Sequence, residues 1–222
     1  DMPFCIISLY TAGPPQTRDN YLEMMYDDGI YIREAQYKTF LDFHKAGDKN
    51  IGFVSSFDQR RSWYHPQKKT PVGEKTAAWA LATQYGKNIP WLPPMYEKME
   101  VKDGKITLHM DAWLRTLDDS PIVGFAIAGE DRNFQPADVD WFVKSVDRHN
   151  QPQYDQRIVV LSSPHVPEPV HFRYAWGRNP MANLVRSDHS TVPFATQRSD
   201  RWKQEEVPEK VWVDPSRNTQ DY

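Results

Sequence analysis

The stretch "IGFVSSFDQRRSWYHPQKKTPVGEKTAAWALATQYG", Ile51–Gly86, decides how the first part of the chain folds. Its opening run, Ile51 to Phe57, is short and apolar, as in a strand buried inside a sheet. Thr70 suits an N-cap, Pro71 suits the first helical position, where its missing N–H costs nothing, and Gly86 follows the last turn. The pattern predicts a helix between them. A strand passing through a loop into a helix is half of a crossover, because a parallel neighbour needs such a connection to re-enter the sheet at the same end.

Upstream, the run "FCIISL", Phe4 to Leu9, shows no alternation of apolar and polar residues and is predicted as a parallel strand buried on both faces. A loop with prolines and aspartates, Thr11 to Gly29, separates it from "IYIREAQYKTFLDFHKAG". There Ile30, Tyr37, Phe40, Leu41 and His44 share one helical face and Gly47 is placed to end it, which predicts a helix from about Tyr31 to Lys45. The order strand, helix, strand, helix is half of a three-layer α/β unit. Two parallel strands leave long edges unpaired, so further polypeptide or self-association is expected to complete the sheet.

Downstream the grammar changes. In "MEVKDGKITLHM", apolar and polar residues alternate on both sides of Asp103-Gly104, a strong two-residue hairpin signal. The runs "IVGFAIAG", "DWFVKSV", "RIVVLSS" and "VHFRYAW" follow, punctuated by Pro, Gly, Asn and Asp. Short strands with such punctuation predict an antiparallel sandwich-like domain. The expected organisation is an α/β part over residues 1–90, a β-rich domain over 91–198, and an extended polar tail over 199–222.

A formal net charge of −3, with Lys and Arg scattered among acids, offers no basic stripe and argues against nucleic acid as a partner. No apolar run approaches the roughly 18 residues of a membrane span. Cys5 is the one cysteine and lies within an apolar run, which favours a buried thiol over a reactive one.

His65 is the leading candidate for chemistry. A histidine titrates near neutrality, and this one lies in a loop between a parallel-type strand and a helix, where catalytic groups of open α/β sheets gather. As a base it needs a hydroxyl partner and a carboxylate to fix its tautomer. Asp58 is the nearest upstream acid, and a turn-forming role suits it equally well. Ser55, Ser56 and Ser62 are nearby hydroxyls, yet none sits in a G-x-S-x-G elbow. His109, His149, His165, His171 and His189 lack metal-ligand spacing, "GEDRNF" reads as a hairpin turn, and "TAGPPQ" is too short to cradle phosphate. No metal or other cofactor is expected.

Five blocks in series carry a resemblance: "DMPFCIISL", "REAQYKTFL", "HPQKKTPVGEKTAAWALATQYG", "GFAIAGEDRNFQPADV" and "VHFRYAWGRNPMANLVRSDHSTVPFATQRSD". Together they resemble the C-terminal half of sialate O-acetylesterases, carbohydrate esterases of the SGNH type. The resemblance implies the last part of a flavodoxin-like hydrolase domain followed by a β-rich domain, acting on O-acetylated sugars through an acyl-enzyme. It implies that His65 is the catalytic histidine. The family's serine and oxyanion-hole blocks precede the point where this chain begins, so the resemblance implies a start in mid-domain. A separate or processed N-terminal hydrolase portion is the expected partner, and this chain alone is not expected to be active. The family carries an acid shortly before the histidine, where this sequence has Ser62 and Trp63, so Asp58 is the substitute candidate. The family also implies a secreted or periplasmic setting. The alternative is a non-catalytic carbohydrate-binding or scaffolding module presenting Trp91, Trp113, Trp141 and Trp176 as platforms.

Overall fold

In the computed structural model, which describes residues 2–25, 28–59, 68–188 and 191–203, the two apolar runs form β1 (Phe4–Ile7) and β2 (Ile51–Val54). They pair in parallel, with Phe4 opposite Ile51 and Ile7 opposite Val54. Between them runs α1 (Asp28–Lys45), and α2 (Thr70–Thr83) follows β2. The helices take opposite faces, because neighbouring residues of a strand point to opposite sides. Tyr37 and Phe40 of α1 pack on Phe53, with ring centroids 5.2 and 5.6 Å away, beside Ile6 and Ile51. On the other face, Trp79 of α2 lies so close to Gly52 that a Cβ there would stand 2.5 Å from the indole.

Two details differ from the sequence-based expectation. Thr70 is the first helical residue of α2, and Lys69 is the cap, since its carbonyl accepts the first helical bond from Gly73 N–H at 2.9 Å. Its side chain makes no capping bond. In addition, β1 is not buried on both faces: Phe4 and Ile7 are 57% and 48% exposed. The reason is that β1 pairs with β2 alone among the described residues, which leaves its outer side uncovered.

The rest of the described chain is antiparallel. Its strands are β3 (Tyr96–Lys102), β4 (Lys105–Met110), β5 (Leu114–Thr116), β6 (Phe125–Ala128), β7 (Gln135–Pro136) and β8 (Asp138–Val146). They continue with β9 (Pro152–Ser162), β10 (His171–Tyr174), β11 (Leu184–Arg186) and β12 (Gln197–Arg198). One sheet has the order β3-β4-β9-β8, another β12-β10-β6-β7, and β11 pairs with β5. The first two share a core: Ile106, Leu108, Val159 and Leu161 from one meet Phe125, Ile127, Phe172 and Tyr174 from the other. The hairpin predicted at Asp103-Gly104 joins β3 to β4, with φ of +50° and +71°, both in the left-handed region that a tight primed turn requires. "GEDRNF" is likewise a turn, joining the antiparallel pair β6 and β7.

The two parts of the chain are packed together. Tyr21, Met25 and Ile30 share a core with Ala126, Ala128, Phe134 and Trp176. Arg33 of α1 donates to the carbonyls of Gly177 and of Arg178. Arg198 bridges Glu34 of α1 at 2.8 Å and Asp200 at 3.0 Å, and Asp200 in turn holds Arg173. Ser199 and Asp200, the first residues of the expected tail, are thus built into the packed structure, while 204–222 lie outside the described residues.

Candidate functional site

In a parallel sheet all strands end on the same side, so the loops after β1 and β2 converge. Ser8 and Ser56 meet there. Ser8 N–H closes the ladder on the Val54 carbonyl at 2.9 Å, Ser56 N–H donates to Ser8 Oγ at 3.0 Å, and Ser56 Oγ–H donates to the Ser8 carbonyl at 2.8 Å. Both residues are buried, and their hydroxyls close the end of the sheet.

Beyond Ser56 the chain makes a 3-10 turn, Phe57–Gln59. Phe57 plugs into the β-sheet core, which anchors the turn and fixes Asp58 next to α2. The Asp58 carboxylate receives Lys75 Nζ at 2.5 Å, and the same ammonium donates to the Ser55 carbonyl at 3.3 Å. Both side chains are only 7% exposed. Asp58 therefore stands at the foot of the loop whose sequence carries His65, with one carboxylate oxygen engaged by a buried cation. His65 itself lies outside the described residues, as do Ser62 and Trp63.

On the outer side of β1, the Gln36 carboxamide of α1 accepts from Leu9 N–H at 2.7 Å and donates to the Ile7 carbonyl at 3.4 Å. It makes the two bonds that the N–H and C=O of one residue in a parallel neighbouring strand would make. Next to it lies an apolar groove of about 820 Å³, running between Ile7 and Leu9 of the first strand segment and the small side chains of α2, Thr76, Ala77 and Ala80 among them. Cys5 also faces α2. Burial pushes its thiol up to about 11, against a smaller opposing effect of its hydrogen bond with Thr76, so the thiolate is scarce at neutral pH.

Lys75 was not singled out by sequence. Its signal was nonetheless present: Val72, Lys75 and Trp79 fall on one helical face, and a lysine on a buried face needs an acid partner. Among the described residues, no group of His, Cys, Asp and Glu gathers as a metal site, and no helix is long and apolar enough to cross a membrane. Of the four tryptophans named as platforms, Trp91 and Trp141 are half-buried against the cores. Trp176 is wholly buried, with the guanidinium groups of Arg173 and Arg198 at 4.8 and 5.3 Å from its ring, so it belongs to the core; Trp113 is 51% exposed.

No protein-family model matches the chain, and no curated protein sequence does. Among solved structures, a carbohydrate acetylesterase from Xanthomonas citri is similar, with a TM-score of 0.70 and 26% identity over 90% of this chain. The match spans 41% of that protein's own chain. The fold of mixed sheets with few helices is thus similar to that of a carbohydrate esterase.

Proposed function

We propose that this chain is the C-terminal portion of a carbohydrate O-acetylesterase of the sialate, SGNH type, and that His65 is its general base. The observation that carries the esterase reading is the structural likeness to a carbohydrate acetylesterase along nine-tenths of the chain. The five sequence blocks support the finer assignment. The uncovered side of β1 and the adjoining apolar groove support a companion N-terminal hydrolase portion, separate or processed, that supplies the serine and the oxyanion donors.

In this scheme a ring nitrogen of His65 takes the proton of the serine hydroxyl as its oxygen attacks the acetyl carbonyl. Backbone and side-chain donors stabilise the resulting oxyanion. The imidazolium then returns the proton to the departing sugar oxygen, leaving an acetyl-enzyme. His65 next deprotonates a water, which attacks the acetyl group and releases acetate and the free serine. Asp58 would orient the histidine, and Lys75 would hold Asp58 in place. The setting is secreted or periplasmic.

The test is acetate release from an O-acetylated sugar and from p-nitrophenyl acetate, by this chain alone and with its N-terminal counterpart. Turnover is expected only in the pair and should fall by about 10² to 10⁴ with His65→Ala. Rates should decline as pH drops below about 6 to 7, where the imidazole becomes protonated. Turnover in the pair that is indifferent to His65→Ala overturns the assignment.

One observation favours a second reading, a non-catalytic carbohydrate-binding or scaffolding module. The acid nearest His65 in sequence is engaged by Lys75, and the position of the family's acid holds Ser62 and Trp63. Complete absence of turnover by a reconstituted, folded pair would establish that reading over the first.

A further inference from the structure

The outer face of the β3-β4-β9-β8 sheet carries a second concavity, of about 510 Å³, to which the α/β part contributes no lining residue. Its volume lies in the range of small-molecule sites. Phe142 and Tyr154 line it, 41% and 48% exposed, from the adjacent strands β8 and β9. The β8–β9 register slips between Trp141 and Phe142, after which Phe142 stands opposite Asp155 and Val143 opposite Tyr154. A second slip lies between Val143 and Ser145. Large, partly exposed aromatic side chains that line one concavity usually mark a binding surface.

The polar residues around these rings specify the occupant. Lys102, Lys105, Asp103 and Asp140 give two charges of each sign, and Thr107 adds a hydroxyl that both donates and accepts. An anionic ligand would meet two carboxylates, and a cationic one two ammonium groups. A neutral molecule bearing many hydroxyls satisfies both sets, since each hydroxyl donates to a carboxylate and accepts from an ammonium. A pyranose adds an apolar C–H face that can lie against an aromatic ring.

We propose that this face binds a neutral saccharide, with Tyr154 and Phe142 as ring platforms and Asp140, Lys105 and Thr107 as hydroxyl partners. The site is independent of the ester-hydrolysis reading: it holds sugar without reacting with it and lies on the β-rich part alone. In a protein that handles carbohydrate, such a face would keep the chain on a polymer.

The experiment is a calorimetric titration of the full chain with cellohexaose, xylohexaose and mannohexaose, in parallel with the Tyr154→Ala, Phe142→Ala, Asp140→Asn and Trp113→Ala variants. Because these side chains are exposed, the variants should keep the thermal midpoint and the far-ultraviolet dichroism of the parent. At least one oligosaccharide should bind, and Tyr154→Ala should weaken it at least about tenfold, equivalent to about 1.4 kcal/mol. Phe142→Ala and Asp140→Asn should weaken it too, while Trp113→Ala, which removes an aromatic outside the groove, should not. Since the ligand is uncharged, affinity should change little between low and high salt. Three results would overturn the proposal: no binding of any of the three sugars, binding insensitive to Tyr154→Ala and Phe142→Ala, or a dimer of the parent that these two variants dissociate. The last would assign the face to a second copy of the chain. Because binding is read without turnover, failure of ester hydrolysis leaves this test unaffected.

Discussion

Asp58 and Lys75 form the most consequential pair in the α/β part, because two buried charges are tolerated only when each satisfies the other. Removing one partner leaves the other uncompensated. Lys75→Met is expected to destabilise the chain by about 3–5 kcal/mol, whereas the double variant Asp58→Leu/Lys75→Met should recover a large part of that loss. Urea unfolding of the parent, the two single variants and the double variant measures the coupling. Equal destabilisation by Lys75→Met in the presence and absence of Asp58 would show that the two side chains do not depend on one another. At this scale the sequence was only partly legible. It nominated Asp58 because of its place before His65, but nothing in the spacing of Asp58 and Lys75, 17 residues apart, announces their contact. That contact arises because Phe57 is pinned in the β core while α2 presents its buried face to the sheet.

Elements were far more legible, since each is decided by short-range rules. Apolar runs gave β1 and β2, the helical stripe gave α1, and Asp103-Gly104 gave the β3–β4 hairpin with the required backbone angles. The cap of α2 was displaced by one residue because a threonine hydroxyl caps only from a non-helical backbone, and Thr70 already lies within the helix. The hairpin offers a test at this scale. Gly104 has φ +71°, and a Cβ there would also approach the Pro167 carbonyl oxygen to 2.9 Å. Gly104→Ala should therefore cost about 1–3 kcal/mol, combining backbone strain with the close contact. Thermal unfolding reads the loss, and an unchanged midpoint would mean that the turn relaxes without penalty. Gly73→Ala, on a helix with open space at the glycine, is the matching control and should be neutral or stabilising.

For the molecule as a whole, the packed cores govern the response to alkali. Burial raises the hydroxyls of Tyr21, Tyr37 and Tyr174 above the ordinary phenol value of 10.0, and the Cys5 thiol from 9.0 to about 11. The folded chain thus retains protons that the unfolded chain releases. The associated stability is intact below pH about 9 and declines as pH rises, first through the thiol and then through the phenols. The urea midpoint should be insensitive to these groups below that pH and fall steadily above it, with tyrosinate absorbance from the buried rings appearing together with unfolding. Tyrosinate from all eleven tyrosines without loss of structure would contradict this account. By itself, the sequence determined the kinds of element and their order, and it excluded a basic binding stripe, because propensity, periodicity and turn chemistry act over a few residues. The tertiary structure alone decided which side chains became partners. It joined Ser8 to Ser56, Gln36 to the outer side of β1, and Arg198 to Glu34, and it buried Trp176 beside two arginines where the carbohydrate-binding alternative would have it exposed. The hydrogen-bonded partners among these lie 27 to 164 residues apart, and whether a polar group is buried and paired depends on the packing that brings distant segments together.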